Sequence, residues 1–213
     1  MDIPVLIRHL GDQLKLPLPG KEYQFRMAHL SRIASMSIRA DVRKAAVLVL
    51  LFEKASTWHV VLIRRKSIQG DVHAGQISFP GGRAMRNESL KETALRESFE
   101  EIGSPVESIT TLGQLTSLHI PVSNHLVYPI VAYLHQYSGW HAQESEVELI
   151  LEVPIDIFLK HETRVLAHIP LMDGQILPEV PCYNVNGHLI WGATAMMLSE
   201  FTEVLRDAEV GRK

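Results

Sequence analysis

Hydrophobic and polar positions alternate with two periods along this chain, and the switches between them mark its elements. Ile3, Leu6, Ile7, Leu10 and Leu14 recur at helical spacing, so residues 3–16 predict a short amphipathic helix ended by Pro17, Pro19 and Gly20. A second helical stretch is expected over Met27–Met36. The unbroken apolar run Ala45–Phe52 predicts a buried strand, paired with Trp58–Lys66 across a polar turn at Glu53–Thr57. Residues 67–87 carry glycines and short polar residues and are expected to form a loop. Further strands are expected at 110–118, 126–135, 148–153 and 188–193, with a closing helix at 194–206. Strands interleaved with helices predict a mixed α/β domain.

The clearest helix runs through residues 89–102. Ser89-Leu90-Lys91-Glu92 reads as a capping box, Gly103 as the left-handed residue that closes the last turn, and Pro105 as the stop. At about 100° per residue, Leu90, Ala94, Leu95, Ser98 and Ile102 cover one face, and Glu97, Glu100 and Glu101 share a stripe beside it. Three neighbouring carboxylates repel one another by roughly a few kcal/mol at intermediate dielectric. A solvated acidic face would tolerate this; a bound divalent cation would offset it. Ligands that are all hard oxygens, with no His or Cys among them, suit Mg²⁺ or Mn²⁺ rather than Zn²⁺.

Composition narrows the setting. The chain has 213 residues, 46% hydrophobic and 21% charged, enough apolar material for a core and too much for a disordered chain. There are 21 basic against 24 acidic residues, so no basic excess marks a nucleic-acid binder. A lone cysteine, Cys182, rules out an internal disulfide. The eight-residue run Ala45–Phe52 is the longest apolar one and is too short to span a membrane. The first residues lack the basic region of a secretory signal and the last match no organelle address, so a soluble cytoplasmic protein is expected.

Gly82, Glu88, Arg96-Glu97, Glu100-Glu101 and Gly103 stand at the spacing G-x5-E-x7-R-E-U-x-E-E-x-G-U, where U is a bulky aliphatic residue. This resembles the box of the Nudix hydrolases; Ser98 and Ser104 depart from it at two aliphatic positions. The resemblance implies an α/β/α sandwich around a mixed sheet, placed over residues 36–213; residues 1–35 have no counterpart in it and are read, from their helical spacing, as an N-terminal helical extension. It also implies hydrolysis, by water, of a diphosphate joined to another moiety. On the same basis Glu97, Glu100 and Glu101 correspond to Mg²⁺ or Mn²⁺ ligands, and the main-chain carbonyl of Gly82 can join them. Arg96 is similar to the arginine that orients these carboxylates, and Glu88 to its ion-pair partner.

An upstream segment is similar to the signature of the coenzyme A diphosphatase branch, L-L-T-x-R-[SA]-x3-R-x3-G-x3-F-P-G-G. Leu62, Ser67, Gly75 and Phe79-Pro80-Gly81-Gly82 match; Arg64 stands for Thr, Lys66 for the first Arg and Asp71 for the second. Val127-Tyr128-Pro129-Ile130-Val131, Glu146-Val147 with Val153-Pro154, and Ile190-Trp191-Gly192-Ala193-Thr194-Ala195 extend the likeness, which covers about residues 40–205. The implied substrate is coenzyme A or an acyl derivative, cut to 3′,5′-ADP and a 4′-phosphopantetheine product. The departures at Arg64, Lys66 and Asp71 keep open another nucleoside diphosphate derivative, such as ADP-ribose. A non-catalytic ligand-binding module is a third reading, against which the intact carboxylate set argues. The expected partner is a small nucleotide, with no nucleic acid or membrane; a homodimer is compatible with the family.

Other candidates follow from position. Lys66 is read as a phosphate contact or a surface charge, and His73 as a phosphate contact or an ordering group for its loop. Gly81 and Gly82 permit close backbone approach near metal and phosphate. Glu146, flanked by Glu144 and Glu148, is the candidate external general base. His119 and His125 lack metal-ligand spacing and are read as pocket or surface residues; Cys182 and Trp191 are read as core.

Overall fold

The computed structural model describes residues 3–33, 41–67, 73–171 and 174–210. Asp71 of the upstream signature therefore lies outside the described residues, as do residues 34–36 of the second expected helix.

The main sheet grows from β1 (Arg43–Lys54) and β2 (Thr57–Arg65), a hairpin registered Lys54 to Thr57. Ala55 and Ser56 turn it with both φ angles positive, at 50° and 60°, the twist that two-residue hairpins require. β1 then lies parallel to β7 (His125–Leu134), and β7 carries β5 (Ile109–Gln114) and β6 (Leu118–Ile120) antiparallel on its far side. β8 (Val147–Pro154) pairs with the outer edge of β2. Where β1 and β2 diverge, β3 (Ile77–Ser78) bonds to β2 and β4 (Gly81–Arg83) to β1. The result is an eight-stranded mixed sheet.

Both faces of this sheet are buried, which is why β1 reads as a continuous apolar run. Odd positions Ala45, Val49 and Leu51 pack with α1 (Val5–Gln13) and α5 (Gly192–Val210); even positions Ala46, Leu48, Leu50 and Phe52 pack with α4 (Leu90–Ile102). Helices on both faces make an α/β/α sandwich. The N-terminal segment shares the first core through Leu6, Ile7 and Leu10. It is also tied down by buried Glu200 of α5, which accepts hydrogen bonds from Gly20 N at 3.2 Å, Gln24 Nε2 at 2.8 Å and Thr116 N at 3.1 Å.

Four expectations change. Of the helix expected over 27–36, the described residues form only α3 (Leu30–Ile33), and an unexpected short helix, α2 (Lys21–Phe25), precedes it. Met27 and Ala28 sit between them in the core, their N–H groups bonded three residues back, which closes α2. The stretch 67–87 contains β3 and β4 within its expected loop. The strand expected over 110–118 is two strands, β5 and β6. Finally, β9 (Arg164–Pro170), β10 (Ile176–Val185) and β11 (His188–Trp191) form a second, three-stranded sheet, of which only the last strand was expected. Pro170, Pro178 and Pro181 disguise the other two. Among the described residues, no helix is long and apolar enough to cross a membrane.

Candidate active site

Antiparallel pairing brings the N-terminal end of β1 and the C-terminal end of β2 to one end of the sheet. β4 seats its glycines there. Gly82 pairs with Ala46 and so faces α4, and a Cβ on it would lie 2.5 Å from Glu97 Cδ. Gly81 has φ 153°, and a Cβ there would collide with the Ala46 carbonyl and Val47. Only glycines let this backbone press so closely on β1, at Gly81, and on α4, at Gly82.

α4 is held by its own ends. Ser89 accepts from Glu92 N and Glu92 accepts from Ser89 N, completing the capping box; Gly103 closes the helix at φ 65°. The four glutamates of the box are held very differently. Glu88, just ahead of it, receives Arg96 Nε at 2.7 Å and Nη2 at 3.1 Å, with Met85 N at 3.0 Å and Thr93 Oγ1 at 2.9 Å. Chiefly through the Arg96 hydrogen bonds, its carboxyl is held down to about 2. Arg96 also places Nη1 2.9 Å from both Glu97 and Glu100 and donates to the Arg83 carbonyl at 3.3 Å. Glu97 is half-buried, and burial raises its pKa, opposed by Arg96 and helped by Glu100 and Glu146.

Glu101 is 2% exposed. Its Oε2 accepts from Gly81 N at 2.8 Å, and its Oε1 lies 3.6 Å from Arg65 Nη1. These contacts are outweighed by burial, with Glu97 and Glu146 adding like charge, and its carboxyl is pushed up to about 8. The even stripe expected from helical spacing is therefore graded: Glu100 is open to solvent, Glu97 half-buried and Glu101 enclosed. Among the described residues, no three His, Cys, Asp or Glu side chains stand grouped as an assembled metal cage. Ser98 and Ser104, at the two aliphatic positions of the box, are fully buried with hydroxyls that lack hydrogen-bond partners.

The other expected residues divide. Glu146 is exposed at the start of β8, near enough to raise both Glu97 and Glu101. Lys66 turns its Nζ to the Glu144 carbonyl at 2.7 Å, and its N–H to the Glu146 carbonyl. His73 Nδ1 lies 3.3 Å from Gln76 Oε1, an ordering contact within its loop. Cys182 is fully buried and burial pushes its thiol up to about 11. Trp191, expected in the core, is half-buried.

Sequence reasoning missed several cations. Arg65 as the partner of Glu101 is one; the alternation Leu62, Ile63 could have placed it on the α4 face. Arg43 pairs in register with His125, and Arg83 with Ala45. Burial, then Arg43, Arg83 and His73, press the His125 imidazole toward its neutral form. Those neighbours lie far from His125 in the chain, so no local signal announces them. Carboxylates interleaved with arginines, Arg96 among Glu88, Glu97 and Glu100 and Arg65 beside Glu101, give the site both signs of charge.

Residues 42–165 match the family model of the NUDIX domain. The chain is 35% identical over 192 residues to NudL of Photorhabdus laumondii, an uncharacterized Nudix hydrolase, covering 90% of this chain and 92% of that one. It is 32% identical over 171 residues to the NudL of Yersinia enterocolitica, covering 78% and 84%. Among solved structures, the MutT protein of Methanosarcina mazei superposes with a TM-score of 0.51 at 18% identity, covering 83% of this chain and 100% of that one, a likeness of fold.

Proposed function

The chain belongs to the Nudix family of pyrophosphate-bond hydrolases acting on nucleoside diphosphate derivatives, and from that premise we propose that it cleaves coenzyme A or an acyl derivative to 3′,5′-ADP and a 4′-phosphopantetheine product. The observation that carries the site is the buried Glu101 beside Glu97, two carboxylates short of compensating charge against a backbone that only glycine permits. Members of this family generally use divalent metal ions, and the donors here suit Mg²⁺ or Mn²⁺: all are oxygens and the crowded charge favours a cation. Glu97, Glu100, Glu101 and the Gly82 carbonyl would hold it. Once bound, such an ion clamps diphosphate oxygens, screens their charge and acidifies an attacking water.

The side chains do the rest. Arg96, anchored on Glu88, orients Glu97 and Glu100. Arg65 partly balances Glu101. Arg43 and Arg83 offer guanidinium groups to phosphate oxygens. Exposed Glu146 accepts the proton of the attacking water at its carboxylate as general base.

The substrate rests on the upstream signature. Purified protein with Mg²⁺ or Mn²⁺ and coenzyme A should release 3′,5′-ADP, resolved chromatographically. Turnover of ADP-ribose with coenzyme A left intact would reject the substrate and keep the reaction class. That second reading has its own support: Lys66 is engaged by Glu144, and Arg64 by His188 and Glu148.

A further inference from the structure

Successive residues of β2 point to opposite faces of the sheet. Arg65 lies on the α4 face with Ile63 and reaches Glu101. Arg64 lies on the other face with Leu62, its Nη2 2.7 Å from His188 Nδ1 of β11 and its Nη1 3.6 Å from Glu148 Oε1. Glu148 can turn there because the β2–β8 register slips at that point: Leu149 pairs with Arg64 and Val147 with Arg65.

Arg64, Gln76 and Glu148 form the polar side of a cavity of about 650 Å³, within the roughly 300–1,000 Å³ usual for small-molecule sites. The remaining walls are largely apolar: Ile77 of β3, Ile169 of β9, Leu189 and Trp191 of β11, and Val122, which is 67% exposed. The cavity is coupled to the carboxylates through main-chain bonds. Arg65 N donates to the Gln76 carbonyl at 3.0 Å and Gly75 N donates to the Arg65 carbonyl at 3.1 Å, so the wall at residues 74–77 is clamped to the residue that meets Glu101. The second sheet thus supplies an apolar chamber that shares one strand and one loop with the reaction site.

We propose that this cavity receives the acyl chain of a thioester-bearing diphosphate substrate, making the enzyme selective for acylated over free coenzyme A. The inference rests on the coenzyme A reading above. An aliphatic chain suits these walls because they offer contact area and few hydrogen-bonding groups, while the charged nucleotide is held at the other face.

The test compares coenzyme A with octanoyl-coenzyme A. Wild type should favour the octanoyl form in kcat/KM by at least ~10-fold, the yield of burying about two methylenes. Leu189→Trp, which fills the chamber, should bring the ratio close to one; Leu189→Ala should keep part of it. Melting temperatures identify variants that fold. Equal kcat/KM for the two substrates in wild type, or an unchanged ratio in folded Leu189→Trp, overturns the inference and leaves the coenzyme A reading standing. Hydrolysis of neither substrate overturns that reading instead. Calorimetry with octanoyl-pantetheine then decides the cavity by itself: heat of binding in wild type that is lost in Leu189→Trp upholds it, and no binding in wild type overturns it.

Discussion

Glu88 and Glu101 flank one helix and are driven in opposite directions. Glu88 collects a bidentate guanidinium, a hydroxyl and a main-chain N–H, and its carboxyl is held down to about 2. Glu101 is enclosed with a single main-chain N–H and a guanidinium 3.6 Å away, and is pushed up to about 8. The fold satisfies one charge and leaves the other short. A satisfied charge contributes stability; a charge left short is where an external cation has most to gain. Scaffold and chemistry are thus separated by less than four helical turns.

The largest effect should come from removing the unsatisfied charge. Glu101→Gln is expected to cost ~100-fold or more in activity, beyond the 10–100-fold usual for an outer partner of a metal ligand. Its melting temperature in EDTA at about pH 8.5 should hold or rise, since a carboxylate that is costly to ionise where it is buried is gone. A large fall in melting temperature with activity intact would reverse the comparison. Gly82→Ala comes next. Its Cβ would fall 2.5 Å from Glu97 Cδ, so Glu97 must move. A displacement near 1 Å can cost up to about 100-fold, and a loss of roughly 10–100-fold in kcat is expected by steady-state kinetics. Wild-type kinetics would show that the Glu97 position is not critical.

Glu88→Gln should behave in the opposite way to Glu101→Gln. It breaks a mostly buried ion pair while Arg96 keeps Glu97 and Glu100, so denaturant unfolding should show a loss of about 1–2 kcal/mol. Activity should fall only about tenfold, through loosened orientation of Arg96. Loss of all activity without loss of stability would move Glu88 from scaffold to chemistry.

How much of this could be read from residues alone depends on how local each signal is. α4 was legible because its cap, its stop and its glutamate spacing all lie within the single stretch Ser89–Pro105, and both capping-box bonds form. The unequal burial of Glu97, Glu100 and Glu101 was not, since β4 creates it by laying Gly81 across Glu101. The central strands were legible from their apolar runs. β9 and β10 were not, because Pro170 ends the first, Pro178 and Pro181 interrupt the second, and the pairing slips between Leu177 and Val180, where Glu179 takes φ 50°. The same prolines hid the chamber that those strands build with β11. Arg43, Arg83 and His125 meet only through long-range register, which no single window of sequence contains.

The smallest expected effect probes the same contrast without touching an atom of the protein. An unstructured glutamate titrates near 4.3. Glu101 in the fold binds its proton up to about 8, so its contribution to stability is whole below about pH 4 and is lost as pH rises through 8. Glu88, held to about 2, has the opposite sign: its contribution is whole above about pH 4.5 and is lost as pH falls toward 2. Between about pH 5 and 8 only Glu101 of the two binds a proton in the folded chain that the unfolded chain has released. In EDTA the melting temperature should therefore fall across that window, by roughly 2–4 °C for each kcal/mol lost. The measured quantity is the difference in slope between wild type and Glu101→Gln, in which every group common to both cancels. Glu88→Gln should keep the wild-type slope. Because a metal ion displaces the Glu101 proton, Mg²⁺ or Mn²⁺ should raise the melting temperature more at pH 8.5 than at pH 5.5. Parallel slopes in wild type and Glu101→Gln would mean that the fold already satisfies this carboxylate, and the two ends of α4 would no longer differ in kind.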